Sequence, residues 1–145
     1  MLLTGLGAAD SAFLDASRQI ESEWRALCEP EWFDAWLGDL YLNGGVYNIL
    51  PHNCPVLAKG LFKLGFPVGS RDIWYIRTAH AVAVSYGAAY LITEDIDFHE
   101  PSKKKTSAKE RSKILAQGSG GVAKHLAKRA AVNVRCVSTY ISSVA

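Results

Sequence analysis

Helical patterns that alternate with short apolar runs predict a doubly wound α/β domain. Three stretches carry that expectation. Residues 71–93 read as helix, glycine, strand, the unit of a parallel sheet. Residues 11–50 place two amphipathic helices between two strand-like runs, and residues 122–137 close with another helix and strand. The chain has 145 residues, 49% hydrophobic and 21% charged, which suits one folded domain over 1–145 and excludes a disordered chain.

Residues 1–10 are small and glycine-containing and read as a loop or frayed start. Ser11 to Asp15 forms a candidate strand, and Ser17 is placed to cap the next helix by accepting an orphan amide. Ile20, Trp24 and Leu27 share one face of that helix, which Pro30 stops. A second helix fits Glu31 to Leu42, where Phe33, Trp36, Leu37, Leu40 and Tyr41 recur at helical spacing before Asn43-Gly44-Gly45 ends it. Val46 to Leu50 is a short strand, and Val56 to Leu64 a short helix within a proline-rich stretch. Ser70 is expected to cap a helix over Arg71 to Tyr86, stopped by Gly87, and Ala89 to Thr93 follows as a buried strand. A polar linker over Glu100 to Ser107 leads to helices at Ala108 to Ala116 and Val122 to Ala130, separated by a glycine-rich turn over 118–121. Val132 to Val137 is the last strand, followed by a short tail.

Charge is distributed unevenly. Residues 1–102 carry a net −7 and residues 103–145 a net +9, so an acidic body (11–100) is joined to a basic C-terminal third (103–137). Such separation suggests one surface for cations and one for a polyanion, the alternative being two solvated faces. No apolar run approaches the ~18 residues that cross a bilayer, and Met1 is not followed by a secretory leader pattern. Three cysteines without a CxxC pair exclude a disulfide framework and the usual zinc ribbon. A cytoplasmic protein that does not enter membranes is the resulting expectation.

The most informative segment is Leu91-Ile92-Thr93-Glu94-Asp95-Ile96-Asp97-Phe98. An apolar strand runs directly into two acids, and ligands of parallel α/β sheets bind beyond the C-terminal ends of the strands. Asp95 and Asp97 can offer hard oxygen ligands to Mg2+ or Mn2+. A solvated acidic turn is the competing interpretation, and the apolar anchor Phe98 weighs against it.

The run from Ala79 to Phe98, with its strand ending in Thr-x-Asp-x-Asp-Phe, resembles the C-terminal core of PIN domains, metal-dependent nucleases that include many ribonuclease toxins of toxin–antitoxin pairs. The segment from Asp97 to Lys105 also looks like one branch of PIN-like proteins. The resemblance spans roughly residues 11–137 and is strong over 71–101. It implies a three-layer α/β/α fold with a central parallel sheet, and Mg2+- or Mn2+-dependent endoribonuclease activity. The implied partners are RNA, an antitoxin protein and a second copy in a homodimer. Asp72 matches the family's helix-start acid, or is a first-turn acid favourable to the helix dipole. Glu23 matches the acid of an early helix, with Glu21 as the competing choice. Asp72, Asp95, Asp97 and Glu23 are then the implied catalytic metal ligands. Thr93 is expected to orient a carboxylate.

Lys103, Lys104, Lys105, Lys109 and Arg111 are the basic residues best placed to hold an RNA backbone, the lysine run being otherwise a solvated linker. His99 adjoins the acidic loop and could reach a phosphate. One departure from the family matters. PIN domains open with a strand ending in Asp well upstream of the helix Glu, and here Asp15 stands only eight residues before Glu23. Either that strand and its Asp are missing, or Asp15 is reused. The missing Asp keeps a second expectation open, a catalytically degenerate PIN-like domain that binds RNA or a partner protein. A receiver-like phosphoacceptor also clusters acids at strand ends, but the chain lacks the Thr-bearing and Lys-bearing strands such a domain uses.

Overall fold

The computed structural model describes residues 11–67 and 69–144, so the stretch 1–10 lies outside the described residues. Four strands and seven helices follow in order: β1 (Ala12–Asp15), α1 (Gln19–Leu27), α2 (Pro30–Leu42), β2 (Val46–Ile49), α3 (Pro55–Lys63), α4 (Ile73–Tyr86), β3 (Ala89–Ile92), α5 (Ala108–Gln117), α6 (Gly121–Ala130), β4 (Val132–Arg135) and α7 (Val137–Val144). Two 3-10 turns, Ile96–Phe98 and Pro101–Lys103, connect β3 to α5. None of the described helices is long and apolar enough to cross a membrane.

The fold is mixed α/β with parallel pairing, but the strands form two separate pairs. β1 lies beside β2 with Ala12 opposite Val46, and β3 beside β4 with Ala89 opposite Val132. Each pair has its own core. Leu14, Ile20, Phe33, Leu37 and Val46 close the first, and Leu61, Phe66, Ile76, Val122, Leu126 and Val132 belong to the second. α4 joins the halves, because Tyr75 packs against both cores. Burial of these aliphatic and aromatic side chains is the main favourable term, at about 1.5–3 kcal/mol for each fully buried large residue.

Local expectations differ from the structure at three helix starts. α1 begins at Gln19, and Ser17 does not cap it. Arg18 occupies the boundary in the left-handed region (φ 63°) and makes no side-chain cap. The Asp15 carboxylate does that work from the end of β1. Its two oxygens accept the Gln19 and Ile20 amides at 2.9 and 2.8 Å, and the Ser17 hydroxyl at 2.6 Å. α4 begins at Ile73, later than Arg71, because Trp74 and Tyr75 amides bond the Arg71 and Asp72 carbonyls in a tight 3-10-like turn. β4 ends at Arg135, and the expected strand end and tail are instead α7. The Glu94 carboxylate accepts the Val137 amide at 2.6 Å and so starts that helix from 43 residues away.

Asp15 is fully buried. Burial alone pushes its carboxyl up, but the Ser17 hydroxyl and the Ile20 and Gln19 amides outweigh it and hold the group below its ordinary value. Asp15→Ala should therefore lower stability by about 2 kcal/mol in a denaturant melt at pH 7, since it orphans the buried Ile20 amide and uncaps that of Gln19. A folded pKa below the unfolded one contributes stability above the ordinary carboxylate value and loses it as the pH falls through the folded value. The gap between wild type and variant should thus close in strong acid.

Candidate metal centre

β3 delivers the chain to the acidic loop. Thr93 remains tied to β4, its amide donating to the Arg135 carbonyl at 2.9 Å. Beyond it the loop is fixed by its own side chains. The Thr93 hydroxyl accepts the Asp95 amide at 3.0 Å, and Asp95 Oδ1 accepts the Asp97 amide at 2.9 Å. Thr93 thus orients the loop backbone; the carboxylate contact expected of it is not made. Glu94 is drawn away to the start of α7. Asp97, 7% exposed, turns inward, while Asp95 is exposed.

Asp72 reaches the same place from the start of α4. Its amide bonds the Ser70 hydroxyl oxygen at 3.2 Å, and its carboxylate makes no cap hydrogen bond to its own helix. Asp72, Asp95 and Asp97 each present a carboxylate oxygen, and the three lie within 4.8 Å of one another. Glu23 is not a member of this group. It lies near Tyr75 instead, where burial and then the Glu23 charge push the phenol well above its ordinary value. Glu23 still adds to the negative field at Asp72. Asp15 is committed to the start of α1 and is not among the three either.

Excess negative charge is visible at Asp72. Burial raises its carboxyl above the ordinary value, and the charges of Asp95, Glu23 and Asp97 raise it further, outweighing the Ser70 bond. Among the described residues one cation pairs with this group: Lys104 Nζ lies 3.0 Å from Asp97 Oδ2, and that carboxylate holds the ammonium above its ordinary value.

The basic residues are thereby divided. Lys103 faces Glu110 at 3.8 Å, and Lys104 faces Asp97. Arg111 folds back onto the loop, its guanidinium donating to the Lys104 carbonyl at 3.3 Å and to the Thr106 carbonyl. Lys105 and Lys109 are exposed and pair with no acid among the described residues. His99 is fully buried and cannot meet a phosphate. Its Nε2–H donates to the Thr93 carbonyl at 3.1 Å.

Tyr75 and Lys104 are the residues at this site that sequence reasoning assigned no such role. A signal existed for Lys104, a lysine seven positions beyond Asp97 across proline and turn residues. For Tyr75 the only signal was an aromatic residue in the first turn after Asp72.

Two of the three carboxylates, Asp72 and Asp95, face a cleft. Glu23, Asp72 and Asp95 line one cavity of about 800 Å3 together with residues of β1, β3, α1 and α4. An all-oxygen, anionic donor set fits a hard divalent cation, which takes such ligands at about 2.0–2.6 Å. Compared with protein-family models, curated proteins and solved structures, the chain matches none.

The repulsion at Asp72 has a measurable consequence. A folded carboxyl raised above its unfolded value costs stability once the pH climbs through the raised value, and costs nothing below the unfolded one. Asp72→Asn should raise the melting temperature of the metal-free protein by a few degrees at pH 7, with the gain vanishing near pH 3. Addition of Mn2+ should stabilise the wild type and not the variant.

Proposed function

We propose that the chain is a Mg2+- or Mn2+-dependent endoribonuclease of the PIN-like type. The observation that carries this is the convergence of three carboxylates from segments more than twenty residues apart at the end of β3, with oxygens within 4.8 Å. Asp72, Asp95 and Asp97 would hold the cation, with Glu23 at the margin adding to the negative field at Asp72. A divalent cation in such a site supplies a water of lowered pKa and offsets charge on the leaving oxygen.

The chain's own residues do the rest. The Asp95–Asp97 turn presents the ligands from a backbone that Thr93 holds in place. Lys104 balances Asp97 until a cation does so. Lys105 and Lys109 attract the phosphate backbone without reading sequence. Among the described residues the strands form two parallel pairs, an arrangement compatible with a family sheet whose central strand is not among them. A toxin–antitoxin setting, an antitoxin partner and a homodimer belong to this proposal. One observation favours the degenerate alternative: the Lys104 ammonium already occupies a cation's place at Asp97.

Calorimetric titration with Mn2+ decides between the two. The nuclease reading expects one site in the wild type and at least tenfold weaker binding in Asp95→Asn, along with loss of metal-dependent cleavage of single-stranded RNA. Absence of both binding and cleavage in the wild type would establish the non-catalytic reading.

RNA affinity is expected to divide from turnover. Lys105→Ala with Lys109→Ala should reduce the slope of log affinity against log salt by about 1.4, at about 0.7 per phosphate contact on a single strand. Asp95→Asn should leave that slope unchanged in filter-binding measurements.

A further inference from the structure

Among the described residues β1 and β3 each have one paired edge and one open edge. Ala12 donates to the Gly45 carbonyl at 2.8 Å and Ala16 to the Ile49 carbonyl at 2.9 Å. The even-numbered residues of β1 therefore face β2, and by strand alternation Phe13 turns its N–H and C=O to the other side. In β3, Ala89 donates to the Ala131 carbonyl and Thr93 to the Arg135 carbonyl, so Tyr90 and Ile92 turn theirs away from β4. Both open edges line the same cavity of about 800 Å3. Among the described residues the Phe13, Tyr90 and Ile92 amides donate to nothing. Open edges of this kind are templates for another strand.

The remaining lining says what such a strand must be. Ala79 and Val82 of α4 and Trp24 and Leu27 of α1 present apolar surface to the cavity, and Leu27 is 74% exposed. A strand covered on both faces is a continuous apolar run rather than an alternating one. One end of the cavity carries Glu23, Asp72 and Asp95, while Lys104, the nearby cation, is taken by Asp97. A helix satisfies its own backbone and leaves the edge amides unpaired. Without a bound cation, a nucleic acid in the same place would set phosphates against three carboxylates, so in chelator the slot favours a polypeptide.

We propose that this cavity is a docking slot for one extended strand of a partner polypeptide, an apolar run of four or five residues ending in lysine or arginine. Main-chain hydrogen bonds to Phe13, Tyr90 and Ile92 give the affinity, and the basic end beside Asp72 and Asp95 sets the direction. The slot stands on backbone edges and needs no metal, so it holds or fails separately from the nuclease reading when measured in chelator.

The probe is a fluorescein-labelled hexapeptide, Thr-Val-Ile-Val-Leu-Lys, titrated against the full chain in EDTA. Saturable anisotropy is expected, with new hydrogen-exchange protection at the Phe13, Tyr90 and Ile92 amides. A peptide ending in Glu should bind at least fivefold more weakly. Tyr90→Pro should weaken binding at least tenfold while leaving the melting temperature close to wild type, because that N–H faces away from β4 and the ladder loses no bond. Should that variant not fold, N-methylation of the peptide's central backbone gives the same tenfold loss with the protein untouched. Absence of saturable binding, or equal binding by the N-methylated peptide, overturns the proposal. Protection of the three amides in the free monomer assigns the slot to the chain itself and overturns it too. Protection that rises with protein concentration alone assigns the slot to a second copy, with the same consequence.

Discussion

The acidic loop depends on one buried histidine. His99 donates Nε2–H back to the Thr93 carbonyl, and its own carbonyl accepts the Val122 and Ala123 amides at the start of α6. Loop and helix are thereby pinned to one residue. The approach is so close that a Cβ at Gly120 would collide with the His99 carbonyl. Burial pushes the imidazole below its ordinary value, so the ring is neutral at pH 7 and acts as a fixed donor. The neighbouring Glu100 carboxylate accepts the Gly121 amide at 2.9 Å, so α6 is capped by the loop it supports. Without this node Asp95 and Asp97 would sit on a free tether, and their approach to Asp72 would cost conformational entropy.

α4 is the second organising element. Its start brings Asp72 to the acids, Tyr75 packs against both cores, and Ala79 and Val82 line the cleft between the strand pairs. Small residues along that stretch leave room that larger ones would fill. Each strand pair is stabilised on its own side by its own helices. No backbone ladder joins the halves among the described residues, so their relative position depends on side-chain packing against α4.

Charge follows the same division of labour. The basic third does not lie apart from the acidic body as a uniform patch. Lys104 is folded into the acids, Lys103 is paired with Glu110, and Arg111 braces the loop by bonding carbonyls. The exposed cations of that third that pair with no acid among the described residues are Lys105, Lys109, Lys113, Lys124, Lys128 and Arg129, so much of its net +9 stays available, with Lys105 and Lys109 the ones nearest the acidic loop in sequence. Exposed pairs such as Lys103–Glu110 contribute little to stability, about 0–1 kcal/mol. Their effect is on which charges remain available to a polyanion.

Much of the secondary structure is legible because it is local. The spacing of Phe33, Trp36, Leu37 and Leu40 encodes α2, Gly87 with its φ of 92° ends α4, and the strand before Asp95 is apolar along its length. The pairing of Asp95 with Asp97 at a strand end is likewise written in two adjacent turns of chain. α7 was not legible, since Val137-Ser138-Thr139 has weak helix propensity and its start is set by Glu94 from another segment. Nor was the start of α1, because a carboxylate in the preceding strand supplies the cap that Ser17 was expected to provide. The sequence by itself determined where helices and strands lie and that acids end a strand. A family resemblance offered Asp72 and Glu23 alike as partners of those acids; the tertiary structure alone decided that Asp72 meets them and Glu23 and Asp15 do not, that Lys104 answers them, and that the strands form two pairs. Periodicity records which side of an element is apolar, whereas the meeting of charges and open edges is set by packing between segments distant in the chain.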